Sequence, residues 1–310
     1  MIVTLTLNPA LDRTISVDHL AFEDRAYIQS SSESAGGRGL NSSRLIHSFG
    51  GETLALTVEG GETGAKLREH LRHERFKHRA VQIRKDIRTN LTITDARGLT
   101  VNLNERGPEL SRGEVNNLER LVERTLENAK WLLLCGSIPP GVPSSFYAKL
   151  IAKARKRRVR TLLHASGDAL REGVAARPTV VTPNQSEAER LVGRALLTRL
   201  QWIEAAAEIH SFGPESVVLS LASRGAVGAF ARGLFEAVPP QIDAVCPIGS
   251  GDALTAAYAW RMHKGRTQPE DALRWGVAAG TASALLPGMN FANLEDTQKM
   301  YDRVELRRAE

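Results

Sequence analysis

Ile2-Val3-Thr4-Leu5-Thr6-Leu7-Asn8-Pro9-Ala10-Leu11-Asp12 opens the chain with a β-prone run that Pro9 stops. Pro9 also drives the preceding residue towards extended backbone, which predicts that Asp12 projects from the carboxyl end of a first strand. A carboxylate there can accept two hydroxyl hydrogen bonds, although the same residues also suit a capped turn. Similar short apolar runs recur at 53–58, 131–135, 160–163, 179–181 and 217–221. Between several of them lie segments of helical periodicity at 40–49, 144–156 and 198–212. Each is long enough for a crossover helix, so the pattern predicts an α/β fold whose parallel sheet is covered on both faces. Active sites in such sheets gather at the carboxyl ends of the strands.

Two regions break this rhythm. Residues 12–33 and 85–105 contain alternating β-prone stretches such as Thr14-Ile15-Ser16-Val17 and Thr89-Asn90-Leu91-Thr92-Ile93-Thr94, which predict a small separate sheet able to close over a ligand. From Thr255 to Leu286 the chain reads as mainly helical, with a break near 264–269. No internal repeat or low-complexity linker divides it, so 1–310 reads as one domain carrying the small sheet as a lid.

The 310 residues are 42% hydrophobic, enough for a sizeable core, and carry a formal net charge of +6. No apolar run reaches the roughly 18 residues of a membrane span, and no basic segment precedes an apolar one at the start, which predicts a soluble, cytoplasmic protein with no membrane partner. Cys135 and Cys246 lack metal-site spacing and read as packing residues of a reducing compartment. The positive balance favours anionic partners. Nucleic acid is not the expected one: the basic run at 153–160 shares an amphipathic helix with Phe146, Leu150, Ile151 and Ala154, and no zinc finger or aromatic RNA-binding pattern accompanies it.

Pro247-Ile248-Gly249-Ser250-Gly251-Asp252-Ala253 places two glycines and an acid where an apolar helix begins. Glycines let successive N–H groups converge on one point, and a helix start adds positive potential, so Gly249, Ser250 and Gly251 form a candidate cradle for a migrating phosphoryl group. Asp252 would face that anion, as the base in phosphoryl transfer to an alcohol must. An ordinary N-capped helix after a glycine turn is the competing reading.

Gly36-Gly37-Arg38-Gly39-Leu40-Asn41 also precedes helix-compatible residues, with Arg38 and Asn41 able to meet phosphate and hydroxyl groups. Ser42 removes the third glycine of a dinucleotide fingerprint, and no convincing strand directly precedes the segment. In the predicted small sheet, Arg88 and Asn90 are two apart and share a face that suits phosphate or simply solvent. Ser137, in Gly136-Ser137-Ile138-Pro139-Pro140-Gly141, lies where small residues admit a ligand or make a rigid turn. Asn184 and Glu187, three apart at a helix start, can orient magnesium through water or form a cap. Neither a P-loop nor a His-Arg-Asp loop is present.

Taken in order, these residues resemble the PfkB branch of the ribokinase-like carbohydrate kinases over nearly the whole chain. The opening motif, Asn104-Glu105-Arg106-Gly107-Pro108-Glu109 and the 136–141 segment resemble its 1-phosphofructokinase and tagatose-6-phosphate kinase members. The resemblance implies a Rossmann-like three-layer α/β/α domain with a β-sheet lid that serves as a homodimer interface. It implies ATP and Mg2+, and a ketohexose phosphate (fructose 1-phosphate, fructose 6-phosphate or tagatose 6-phosphate) converted to the bisphosphate. It further implies Asp252 as base and the Gly249-Ser250-Gly251 backbone as anion hole. Asp12 and Asn41 would hold sugar hydroxyls and Arg38, Arg88 and Asn90 the substrate phosphate, with Gly37, Gly39 and Ser137 lining the substrate. Asn184 and Glu187 would manage magnesium and the nucleotide phosphates, with Ser220, Ala222 and Gly225 beside the nucleotide.

The chain departs from the pattern at Arg38 (usually lysine), Ser42 (valine), Ala222 (glycine), Ser250 (alanine) and His164, which stands where Asp-Thr-Ser-Gly normally begins. These departures leave two alternatives beside the sugar-phosphate kinase: a non-catalytic sugar-phosphate sensor, and a kinase of an unphosphorylated sugar or nucleoside.

Overall fold

A computed structural model describes residues 1–20, 24–265 and 267–309. The first strand, β1 (Ile2–Thr6), is buried throughout and alternates its side chains between two hydrophobic clusters: Val3 and Leu5 enter one, Ile2 the other. The chain then leaves the main sheet for β2 (Ala10–Val17) and β3 (Ile28–Gly36), returning through α1 (Arg38–Ser48) to β4 (Thr53–Glu59). Next come α2 (Gly61–His73), β5 (Lys77–Gln82), β6 (Arg88–Asp95), β7 (Thr100–Asn104) and α3 (Arg112–Leu126). The central alternation follows as β8 (Trp131–Cys135), α4 (Phe146–Lys156), β9 (Arg160–His164), α5 (Gly167–Ala175), β10 (Val180–Val181), α6 (Gln185–Val192), α7 (Arg199–Ser211) and β11 (Ser216–Ser220). The last part is β12 (Ala226–Phe230), β13 (Gly233–Val238), α8 (Ser250–His263), α9 (Pro269–Ala284), α10 (Leu294–Tyr301) and β14 (Glu305–Arg308).

The main sheet has ten strands in the order β14-β13-β12-β11-β10-β9-β8-β1-β4-β5. From β11 to β5 every pairing is parallel, and helices pack on both faces, giving the three-layer α/β/α architecture expected from the alternation. One cluster joins β1 and β8 to Leu67, Leu118 and Tyr147 of α2, α3 and α4; the other joins them to Leu45, Tyr258 and Ala278 of α1, α8 and α9. β8 shows the same two-sided burial, with Leu132 and Leu134 on one face and Trp131 and Leu133 on the other. Fully burying each such leucine contributes about 1.5–3 kcal/mol. Among the described residues no helix is long and apolar enough to cross a membrane.

Three sequence expectations need correction. The main sheet is not wholly parallel: β11 to β14 pair antiparallel, the connections from β11 to β12 and from β12 to β13 being too short for a crossover and β14 adding at the edge. Asp12 does not project from the end of β1. That strand ends at Thr6, the chain bends through Leu7 and Asn8 and re-extends after Pro9, and Asp12 sits within β2 of the second sheet. The 36–41 segment directly follows a strand after all, Gly36 being its last residue; β3 is serine-rich and mostly exposed, so it carried no apolar signature.

The second sheet has the order β3-β2-β6-β7. Its β2–β6 pairing is parallel and sets Ala10 opposite Arg88 and Asp12 opposite Asn90, while β3 and β7 pair antiparallel at the edges. Residues 21–23, within the 12–33 segment assigned to this sheet, lie outside the described residues.

Candidate active site

Chain order reverses around β1: the path runs to β4 on one side and later to β8 on the other. Reversal points open a crevice beyond the strand ends, and the residues singled out from sequence converge there. Beyond β1, Asn8 donates through Nδ2 to Ser137 Oγ at 3.1 Å and to the Arg106 carbonyl at 3.0 Å. From the small sheet, Asn90 Nδ2 donates to Asp12 Oδ1 at 2.8 Å, and Arg88 Nη1 to the Glu105 carbonyl at 3.2 Å. Asn8 Oδ1, Asn90 Oδ1 and Arg88 Nε are buried and have no hydrogen-bond partner. Orphaned buried polar atoms cost free energy unless a ligand completes them, so Asn90 Oδ1 and Arg88 Nε near Asp12, with Asn8 Oδ1 beyond β1, mark polar binding positions.

Charges in this crevice oppose one another. Burial pushes the Asp12 carboxyl above its usual range despite the Asn90 hydrogen bond and the Arg88 and Arg44 charges, and Asp252 across the crevice adds to the rise. Burial, with Arg38 nearby, holds Arg88 below an ordinary guanidinium, although Asp12 and Glu105 oppose the shift. A dianionic phosphate at Arg88 would relieve that like-charge and desolvation strain.

Asp252 sits in the first turn of α8 with a buried side chain. Asn41 Nδ2 donates to its Oδ2 at 2.8 Å, and His164 Nε2 lies 3.2 Å from its Oδ1. Asn41 therefore engages the acid instead of presenting a free amide, and its own Oδ1 accepts from Arg44 Nη1 at 3.1 Å. Gly249, the N-cap of α8, has φ 84°, and no side chain caps the helix. Ser250 spends both its donors on the Pro247 carbonyl, N–H at 3.2 Å and Oγ at 2.8 Å. Of the three residues expected to form the anion turn, Ser250 thus braces it, while Gly249 and Gly251 keep the backbone open.

Gly37 and Gly39 owe their identity to packing. A Cβ on Gly37 would meet Thr6 Cγ2 at 2.6 Å and one on Gly39 would meet Thr6 Oγ1 at 2.5 Å, so only glycine lets α1 close on β1. Thr6 Oγ1 also takes the Leu40 N–H at 3.1 Å, using one of that helix's free donors. Arg38 does not point alone into the crevice: Nη1 and Nη2 both donate to Glu187 Oε1 at 3.2 Å. Burial works against its charge, but Glu187 and Asp252 more than offset this and hold the guanidinium above its ordinary value.

Glu187 is buried, and both readings of its spacing with Asn184 bear on it. The cap is real: Asn184 Oδ1 accepts the Glu187 N–H at 2.8 Å and Glu187 Oε2 accepts the Asn184 N–H at 3.0 Å. Asn184, Ser220, Ala222, Gly225, Ser250 and Gly251 line one cleft of about 1090 Å³, together with Pro239, Val277 and Thr281, which carried no sequence signal. Ala222 has φ 52°, the left-handed region where glycine is free and alanine is strained by roughly 1–2 kcal/mol.

A buried carboxylate at an uncapped helix start, an apolar-walled cleft and a basic polar pocket thus share one crevice, and comparison with known proteins identifies the family. The profile of pfkB family carbohydrate kinases matches residues 5–296. The chain belongs to the PfkB family. As a PfkB kinase it is 32% identical to ATP-dependent 6-phosphofructokinase isozyme 2 of Escherichia coli, covering 97% of each chain. It is 30% identical to 1-phosphofructokinase of Borreliella burgdorferi, over 99% of this chain and 98% of that one. The solved structure of Escherichia coli phosphofructokinase-2 in complex with potassium superposes with a TM-score of 0.91 at 32% identity, covering 97% and 98% of the two chains. This PfkB chain is therefore an ATP-dependent sugar kinase of ribokinase-like fold.

Sequence reasoning passed over Asn8 and Thr182 as site residues and treated His164 only as a departure. Asn8 adjoins Pro9 in the quoted opening motif, so its position after the strand was the available signal; His164 meets Asp252, and Thr182 meets His164, only in three dimensions.

Proposed function

We propose that this kinase transfers the γ-phosphoryl group of ATP to a hydroxyl of a ketohexose phosphate, namely fructose 1-phosphate, fructose 6-phosphate or tagatose 6-phosphate. Asp252 takes the hydroxyl proton as that oxygen forms its bond to the γ-phosphorus and the bond to ADP breaks, giving the bisphosphate. The Gly249–Gly251 turn, at the uncapped start of α8, receives the charge on the transferring group through its glycine backbone, the Ser250 N–H being spent on the Pro247 carbonyl. The observation that carries the reading is the set of unpartnered buried atoms on Asn8, Arg88 and Asn90, the last two next to Asp12. Arg88 Nε suits a phosphate oxygen, while Asn8 Oδ1, Asn90 Oδ1 and the Asp12 carboxylate accept from sugar hydroxyls.

The chain supplies no metal cage: among the described residues no group of three or more His, Cys, Asp or Glu could hold an ion. That suits magnesium, which commonly binds through substrate phosphates and few carboxylates and retains water. Glu187, with Asn184 beside it, would meet the ion through water, and magnesium when bound neutralises charge on the nucleotide phosphates.

A coupled ADP-release assay with ATP and magnesium across the three ketohexose phosphates, with free fructose and ribose as controls, tests the substrate class. We expect kcat/KM for at least one phosphorylated ketohexose to exceed that for free fructose by about 100-fold, the scale of one or two charge-assisted contacts. In Arg88→Ala that preference should shrink about tenfold or more, chiefly through KM. Turnover confined to unphosphorylated sugars would refute the assignment.

We further propose that the second sheet serves as the interface of a homodimer. The register places Leu91 opposite Leu103 and Ile93 opposite Val101, and Leu103 is 51% exposed, so an apolar strip lies on one face of the sheet. Leu103→Glu should convert a dimer to a monomer in sedimentation or light scattering; an unchanged mass would exclude this face.

A further inference from the structure

We propose that His164 is a positioning residue for the base, clamping the Asp252 carboxylate from the side opposite Asn41. The inference rests on the reading of Asp252 as the proton acceptor. His164 ends β9, Asp252 starts α8, and the two meet across 88 residues of sequence with both side chains buried. An ionised carboxylate has no proton to give, so the 3.2 Å contact between His164 Nε2 and Asp252 Oδ1 is a hydrogen bond only when Nε2 carries the hydrogen.

The surroundings of the ring support that arrangement. Thr182 Oγ1 lies 2.9 Å from His164 Nδ1 and can donate to it, and Thr255 Oγ1 donates to Thr182 Oγ1 at 3.3 Å. With Thr182 Oγ1 donating to Nδ1, the chain Thr255–Thr182–His164–Asp252 runs with every donor aimed at an acceptor, and in that arrangement Nε2 carries the hydrogen. With Asn41 on Oδ2 at 2.8 Å, each carboxylate oxygen holds one donor and retains a lone pair for an incoming hydroxyl. The nearby charge that would otherwise draw the carboxylate away is Arg38, whose guanidinium interacts electrostatically with Asp252 and is tied for now to Glu187. Without His164, only Asn41 holds the carboxylate against that pull, and Asp252 is less well placed as a base.

The Thr182 carbonyl also lies 3.0 Å from Nδ1. It offers an acceptor for an Nδ1 hydrogen, so the ring has a satisfied alternative whenever its partner at position 252 becomes a donor. An asparagine there can donate to an unprotonated Nε2, which predicts a tautomer exchange in Asp252→Asn.

Steady-state kinetics on the full chain test this with a graded series. His164→Gln keeps an N–H at about the reach of Nε2 and should retain kcat within about threefold, whereas His164→Asn and His164→Leu should lose about 10–100-fold. KM for ATP and for the sugar phosphate should move by no more than about threefold in all three, because the ring is buried and does not line the cleft. Equal kcat in the Gln and Asn variants, or a wild-type kcat in the Leu variant, would overturn the proposal. If the Leu variant fails to fold, the Gln–Asn pair still decides. Long-range ¹H–¹⁵N spectra of histidine-labelled protein, with the His164 signals assigned by their loss in His164→Gln, supply a second readout. They should show hydrogen on Nε2 in the wild type and on Nδ1 in Asp252→Asn; hydrogen on Nδ1 alone in the wild type would overturn the clamp. Full turnover by Asp252→Asn would instead sink the base assignment and leave the geometry of the clamp to the spectra.

Discussion

Asp252→Asn should lower kcat by roughly 10²–10⁴-fold, the range for removing a general base, while KM for either substrate changes by no more than about threefold. The substitution preserves shape and leaves an amide able to meet Asn41 and His164, so the buried network survives in altered polarity. What it removes is the capacity to hold the acceptor's proton as the new oxygen–phosphorus bond forms. Binding should persist because Arg88 lies on β6 and the residues lining the cleft, such as Asn184, Ser220 and Gly225, do not include Asp252. Kinetics with each substrate varied in turn, with thermal unfolding to verify folding, separate these outcomes. Unchanged kcat would remove Asp252 from the chemistry.

The second large effect is expected at Gly249. Its φ of 84° lies in the region that costs a residue with a Cβ roughly 1–2 kcal/mol, and a Cβ there would approach Phe291 Cε1 to 3.2 Å and Met289 Cγ to 3.4 Å. Alanine must therefore shift either the turn or the 289–291 segment packed over it. Because the amides must already be aimed when charge develops, even a small shift should reduce kcat by about 10²–10³-fold. The loss of stability should stay near the conformational cost, so the variant should still fold and bind the sugar phosphate. A folded Gly249→Ala enzyme with wild-type kcat would show that the turn's backbone takes no part in charge stabilisation.

The layered architecture was legible because its signals are local. Runs such as 131–135 and the periodic segments between them announce strands and helices without knowledge of their neighbours. The antiparallel β12–β14 extension was harder: Ala226-Val227-Gly228-Ala229-Phe230 is short and flanked by no obvious hairpin dipeptide. β3 was missed because a polar lid strand lacks apolar alternation. Within the site, residue types were readable and partners were not. Asn41 and Arg38 were assigned to ligand because a lone amide and a lone guanidinium beside glycines suggest one. Only the folded chain brings Asn41 to Asp252, 211 residues away, and Arg38 to Glu187, 149 away. The Asn184–Glu187 spacing fits both a cap and a metal ligand, and the cap is visible because it is closed by two short hydrogen bonds within one turn. His164 was visible only as a substitution, since nothing near it in sequence hints at a carboxylate.

The account stands most directly on where the acceptor hydroxyl lies. A crystal structure with a non-hydrolysable ATP analogue, magnesium and the preferred ketohexose phosphate measures this. It should place that hydroxyl about 2.6–3.2 Å from an Asp252 carboxylate oxygen and in line with the γ-phosphorus, with the sugar phosphate on Arg88. A hydroxyl in line with the γ-phosphorus but beyond hydrogen-bond reach of Asp252, served by a different side chain, would contradict it.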